Sequence, residues 1–265
     1  MSFPTDCKIS SMTSIAPTAQ IGKGVEIGPF VTIEDNVVIG DGCKIMNGAT
    51  ICWGTRMGAN NRVFPNAVIG AVPQDLKFHG EETTCEIGDN NTLRECVTIN
   101  RGTASRGKTV VGSNNLIMAY CHVGHDCVLG NNIIVSNATQ FAGEVEINDF
   151  AVIGGGSLVH QFTRVGRYCM VQGGTRFGKD VPPYTLIGRE PAAFEGLNII
   201  GLKRRGFTTE QITMAQEVYR YIYLSKLNVS DALATIEREM EQTDLVKEIV
   251  DFVRASERGI IRGAR

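Results

Sequence analysis

Three of the four histidines in the chain, His122, His125 and His160, stand in a stretch otherwise built from aliphatic residues, small residues and glycine. An imidazole titrates near neutrality and suits general-base work. His125 is followed directly by Asp126, and a carboxylate beside a histidine can fix its tautomer and stabilise the imidazolium. Gly143 and Gln161 follow His125 at equal intervals along the chain. A glycine main chain next to an imidazole offers an unobstructed N–H to a developing oxyanion. No serine or cysteine shares this series, so the chemistry it suggests is direct transfer. His125 would deprotonate a hydroxyl acceptor, which then attacks an acyl carbonyl.

That interval has meaning because of what surrounds it. Every sixth residue from Ile9 to Phe177 is aliphatic, Met or Phe, and only Asp75, Glu81 and Ser105 break the frame. A fixed period of one hexad marks a hexapeptide β-helix. The residue after the aliphatic one is often glycine, as at Gly40, Gly124 and Gly154, and is expected to turn the chain. The residue two before it is small or β-branched, as at Val25, Ala67 and Thr139. Three hexads make one coil, and three hexads separate His125 from Gly143 and Gly143 from Gln161. Residues one coil apart stack about 4.8 Å from each other. The expected fold is mainly β: a parallel β-helix of about ten coils, roughly 45 Å tall, over residues 1–190. His125, Gly143 and Gln161 then form one column, and Gly173 falls on another, above Asn137 and Gly155.

The frame lapses at 70–86 and 100–110, in polar, Gly-bearing segments that read as loops thrown out from the prism. Loops on a rigid scaffold often carry function; the plainer account is tolerated decoration. Beyond Asp180–Pro183 the period becomes helical. Helices are expected from about Thr208, Ser230 and Asp244 in a C-terminal α-helical domain, residues 191–265. Six of the eight cysteines occupy the small inward slot and read as small buried hydrophobes.

Charged residues make up 20% and the net charge is −2, so bulk charge gives no nucleic-acid signal. No apolar stretch is long enough to span a membrane. Phe3–Ser10 lacks the charged start and apolar run of an export signal. A cytoplasmic location is therefore expected. The tail from Arg254 carries four arginines against one glutamate and reads either as a solvated end or as a docking patch for an acidic partner.

Several segments resemble the family of UDP-N-acetylglucosamine O-acyltransferases that begin lipid A biosynthesis. They are Pro73–Lys77, Arg94–Ile99, Asn115–Met118, His122–Cys127, Val159–Phe162, Asp180–Tyr184 and Asn198–Phe207, which together span the whole chain. The resemblance implies a left-handed coil and a homotrimer with sites between neighbouring prisms. It implies transfer of an (R)-3-hydroxyacyl chain from acyl carrier protein to the glucosamine 3-hydroxyl, with no cofactor. It makes His125 the base, Asp126 its partner and the Gly143 N–H the oxyanion donor. Gln74, Asp75 and Lys77 would hold the sugar and acyl region. His122, His160, Gln161, Asn198, Arg204 and Arg205 would line the nucleotide or donor side, and Gly173 would act as the acyl-chain ruler. The chain departs from the family pattern at Asn100, Glu144 and Pro191, where histidines are usual.

Other enzymes share the prism. The N-acyltransferase of the same pathway carries an N-terminal uridine-binding domain, for which repeats starting by Ile9 leave no room. Coenzyme A-dependent relatives lack the Asn198–Phe207 stretch. A prism-type carbonic anhydrase would bind metal through three histidines; His122 and His125 could serve, whereas His160 is about two coils away. A purely structural prism would not need an Asp-oriented histidine beside glycine.

Overall fold

A computed structural model of the chain describes residues 4–263; Phe3 and Arg265, used above, lie outside them. The chain forms three sheets of 11, 9 and 8 strands, parallel except for the last pair of the largest. Strands are short: Lys8–Ile9 pairs with Glu26–Ile27, and that with Lys44–Ile45. The aliphatic slot and the slot two before it both point inward. Val25, Ile27, Val31 and Ile33 are all within 3% of fully buried, and the series continues as one core up the prism. Each buried aliphatic chain contributes about 1.5–3 kcal/mol. Ile9, Ile15 and Ile21, in the first coil, are only partly covered, because no coil lies beneath them.

Apart from Gly70, at φ +80° where the first insertion begins, the glycines after the aliphatic slot do not turn the chain. The left-handed residue is two positions further on, often Asn or Gly, as at Asn36, Asn60, Asn90, Gly24 and Gly42, but also Phe30, Tyr120, Ala138 and Phe150. Asparagine and glycine tolerate this conformation best. The glycine after the aliphatic residue answers a different need. A Cβ on Gly40 would lie 2.6 Å from the Gly58 carbonyl carbon, and one on Gly112 would lie 2.4 Å from the Gly130 oxygen. These are the places where one coil's backbone rests on the next.

The two lapses are insertions of whole hexads. Arg62 pairs with Thr92, five hexads on, and Thr98 with His122, four hexads on. Against a coil of three hexads, the first insertion adds two and the second adds one. The frame count therefore runs through both loops undisturbed, while stacking across them departs from the three-hexad rule.

The cysteines of the inward slot pack as small apolar groups. Cys43, Cys85, Cys121, Cys127 and Cys169 are buried, and Cys7 partly so. Thiols of Cys43 and Cys127 each donate to a carbonyl one coil on, at 3.1 Å.

One sheet runs on past 190. Thr185–Gly188 extends one sheet and pairs antiparallel with Ala193–Leu197, so the start of the expected helical domain is still strand. Helices follow: α1 (Ile199–Arg204), α2 (Thr209–Leu224), α3 (Val229–Glu239) and α4 (Asp244–Arg254). Thr208 and Gln211 close a capping box at the start of α2, which is the signal the sequence carries there. α1 is too short to show a period, and nothing in the sequence predicts it. The chain end returns to the prism, with Ile261 N donating to Asp180 O at 2.7 Å and Phe194 N to Arg262 O at 2.9 Å.

Candidate active site

His125 follows the strand His122–Val123 at a corner of the prism, and Gly143 lies one coil above it. Backbone pairing fixes that register: Glu144 N donates to His125 O at 2.9 Å, and Phe162 N to Gly143 O at 3.2 Å. His125, Gly143 and Gln161 therefore form the expected column. The imidazole lies hard against Gly143. A Cβ built there would be 2.4 Å from His125 Nε2 and 2.5 Å from Cε1. Only glycine leaves room for the ring. Among the described residues the Gly143 N–H makes no hydrogen bond.

His125 Nδ1 lies 2.8 Å from Asp126 Oδ2. An ionised carboxylate only accepts, so Nδ1 carries the proton and Nε2 presents its lone pair beside Gly143. The His125 side chain is 12% exposed and Asp126 is fully buried. Asp126 is also the left-handed residue of its corner, with φ +60°. This turn aims the carboxylate back at its neighbour and into loop 100–110. There it accepts from the backbone N–H groups of Thr103 and Arg106 and from the Thr103 hydroxyl. Sequence reasoning marks this loop but not Thr103, because the contact spans 23 residues across an insertion.

Loop 70–86 brings Asp75 Oδ2 to 3.9 Å from His125 Nε2. The loop is tied down from two sides. Asn100 Nδ2 donates to Val72 O at 2.9 Å, and the Arg101 guanidinium lies 5.3 Å from both the Trp53 and Phe78 rings. Asn100 thus anchors the loop that carries Asp75. Gln74 and Lys77 are exposed on the same loop. Glu144 faces loop 100–110, accepting from Ser105 Oγ at 3.2 Å.

His122 sits one coil above Thr98, its Nδ1 2.8 Å from Thr98 Oγ1. Burial, and to a lesser degree the nearby His125, hold its pKa below the ordinary value. His160 is exposed, with Nδ1 3.3 Å from Arg258 Nη2. Gln161 is half-buried in the column.

Other expected residues lie further from this corner. Asn198 caps α1: Oδ1 accepts from Gly201 N and Nδ2 donates to Tyr168 O. Arg204 and Arg205 are exposed at the end of α1, with the Arg205 guanidinium 4.7 Å from the Phe150 ring centre. Gly173 is exposed on a separate corner of the prism. A Cβ there would meet only Gly155 backbone, at 3.2 Å, and one on Gly155 would meet Asn137 O at 3.0 Å. Of the described tail arginines, Arg262 is exposed and two are engaged. Arg254 pairs with Glu237 at 2.7 Å, and Arg258 Nε donates to Gly178 O at 2.8 Å.

The chain and its fold match known proteins. A profile described as Udp N-acetylglucosamine O-acyltransferase, domain 2, matches residues 180–261. Bacterial transferase hexapeptide repeats match 18–52 and 108–143. The acyl-carrier-protein-dependent UDP-N-acetylglucosamine O-acyltransferase of Xylella fastidiosa is 43% identical over 94% of this chain and 95% of its own length. That of Thermodesulfovibrio yellowstonii is 43% identical over 96% and 99%. Among solved structures, the UDP-N-acetylglucosamine acyltransferase LpxA of Bacteroides fragilis superposes with TM-score 0.94 at 58% identity, covering 96% of this chain and all of that one. The Arabidopsis UDP-N-acetylglucosamine acyltransferase superposes at 0.85 with 35% identity, covering 96% and 100%. The prism is accordingly the left-handed parallel β-helix of hexapeptide transferases. A chain this similar over nearly its whole length, with an Asp-locked histidine under a corner glycine, belongs to the UDP-N-acetylglucosamine O-acyltransferase family.

Proposed function

We propose that the chain transfers an (R)-3-hydroxyacyl group from acyl carrier protein to the 3-hydroxyl of UDP-N-acetylglucosamine, the first step of lipid A biosynthesis. The substrates are those in the names of its relatives. One observation carries the chemistry: His125 Nδ1 is bound to buried Asp126, so Nε2 faces Gly143 as a free base.

In the scheme, Nε2 takes the proton of the sugar hydroxyl as its oxygen attacks the thioester carbonyl. The Gly143 N–H donates to the resulting oxyanion. Collapse of the intermediate breaks the C–S bond, and the imidazolium returns its proton to the leaving thiolate. Asp126 stabilises the imidazolium meanwhile. The column of His125, Gly143 and Gln161 holds no serine or cysteine for an acyl-enzyme route. Cys127, two residues from His125, points into the core with its thiol pushed up to about 12 by burial. No cofactor takes part. Asp75, beside Nε2, is placed to hold the sugar, with Gln74 and Lys77 on the same loop. His122, His160 and Gln161 border the column, and Arg204 and Arg205 suit a diphosphate or the phosphopantetheine phosphate. Asn198 acts by capping the helix that carries those arginines.

The test is acyl transfer to UDP-N-acetylglucosamine with several acyl carrier protein thioesters, for the wild type and His125→Ala. Loss of about 10²–10⁴-fold in turnover, with the fold intact, is expected for removal of a general base. A His125→Ala protein that retains most of its turnover would remove the assignment.

A further inference from the structure

The Asp126 carboxylate is held by more than its histidine. Thr103 N donates to Oδ1 at 3.0 Å and to Oδ2 at 3.1 Å, and Thr103 Oγ1 lies 2.7 Å from Oδ2. Arg106 N adds a contact to Oδ1 at 3.1 Å. The proton of the Thr103 hydroxyl has one place to go. Its oxygen already accepts from Ser105 N at 3.2 Å, and an ionised carboxylate can only accept. The hydroxyl therefore donates to Oδ2, the same oxygen that receives His125 Nδ1–H.

The loop presenting Thr103 is built for this. Gly107 N donates to Thr103 O at 2.8 Å, closing a tight turn. Gly102, one residue before, has no space for a side chain, since a Cβ would lie 2.2 Å from Lys108 N. Thr83 Oγ1 donates to Gly102 O at 2.6 Å. On the outside, Arg106 Nη2 reaches Glu146 at 2.7 Å and Ser105 Oγ reaches Glu144. Thr103 itself is buried.

We propose that Thr103 is a positioning residue for acyl transfer: its hydroxyl and amide fix the Asp126 carboxylate so that Oδ2 points at His125 Nδ1. This rests on His125 acting as the base. Asp126 touches no reacting atom and Thr103 touches only Asp126, so Thr103 works at second remove. Outer partners of this kind set the orientation and tautomer of the histidine they support.

The experiment is a double-mutant cycle on the full chain. Thr103→Val keeps the shape and removes the hydroxyl. Its kcat should fall about 10–100-fold, the range for losing a hydrogen bond to a charged group, with KM for both substrates unchanged. Thr103→Ser keeps the donor and should restore most of the rate. Thr103→Val combined with Asp126→Asn should be no slower than Asp126→Asn alone, because both changes break one chain of contacts. Thr103→Ala, which removes the same hydroxyl without adding a methyl, carries the cycle if the valine protein misfolds. Three outcomes overturn the proposal: kcat preserved without the hydroxyl, a serine variant as slow as valine, or losses that multiply in the double variant. A normal rate for Asp126→Asn would instead remove the His125–Asp126 base itself, and this inference with it.

Discussion

His125 works in a space defined by what Gly143 lacks. A methyl group on Gly143 would sit 2.4 Å from Nε2, far inside van der Waals contact. The obstacle is a side chain, so the ring can swing away and the backbone stay in place. Gly143→Ala should therefore fold with a near-normal melting temperature yet lose about 100-fold in kcat, the cost of misplacing a catalytic group by about an ångström. Near-normal turnover would place the reacting atoms somewhere other than between His125 and Gly143. His122 gives a second, pH-dependent expectation. Its folded pKa lies below the ordinary 6.5, through burial first and then the charge of His125. The unfolded chain therefore takes up the proton first as pH falls. The stability from neutral His122 is complete above pH 6.5 and is lost as pH drops from there toward the folded value. Melting temperature should fall between pH 7 and 5, and His122→Gln should lessen that fall. A variant with the same slope as the wild type would assign the loss to other groups.

At the scale of the element, the prism was legible and its corners were not. The hexad period survives in the sequence because every inward slot must fill the same narrow core, and insertions of whole hexads preserve the count. The glycine after each aliphatic residue was legible as a type but not as a cause. It reads as a turn residue, whereas the turn belongs to Asn36, Asn60 and their equivalents. Repetition along a chain shows which slot is small, not which neighbour makes it so. The same limit hid Thr103, whose partner is 23 residues away, and the pairing of Arg254 with Glu237. The contact of His125 with Gly143 was legible because stacking converts an interval of three hexads directly into contact, and that with Asp126 because the two are adjacent. The corner account predicts an order of stabilities. Gly40→Ala drives a methyl to 2.6 Å from the Gly58 backbone, which cannot rotate away, and should cost about 1–3 kcal/mol. Gly156→Ala meets nothing within 4 Å at φ +69° and should cost about 1–2 kcal/mol from the left-handed backbone alone. Denaturant midpoints at unchanged slope would measure both. Gly156→Ala proving the more damaging would reverse the roles given to the two slots.

Across the whole molecule, the base and the expected ruler stand on different corners. His125 follows a strand of one sheet, in the column of Gly143 and Gln161. Gly173 follows Met170–Val171 of another sheet, in the column of Asn137 and Gly155. A hydrophobic core separates the corners of a single prism, and an acyl chain cannot pass through it. If one chain is held at both places, they come from two neighbouring copies. Exposed apolar groups stand on the loop beside His125: Leu76, next to Asp75, is fully exposed, and Val72 is 55% exposed. The expected assembly is the homotrimer, and light scattering should give three times the chain mass. Its composite sites can be tested by mixing two defective chains. His125→Ala lacks the base and keeps Gly173. Gly173→Met keeps the base and should accept only shorter acyl chains, since the added side chain fills the groove and each methylene excluded forgoes about 0.8 kcal/mol of burial. If base and ruler came from one chain, the only working sites in a mixed oligomer would carry methionine, and long chains would stay unused. If they come from neighbours, a Gly173→Met chain beside a His125→Ala chain rebuilds a site with both His125 and Gly173. Co-expressed chains should then regain long-chain transfer that neither shows alone. Short-chain transfer only, from oligomers proven to be mixed, would put base and ruler on the same chain or end the ruler role of Gly173.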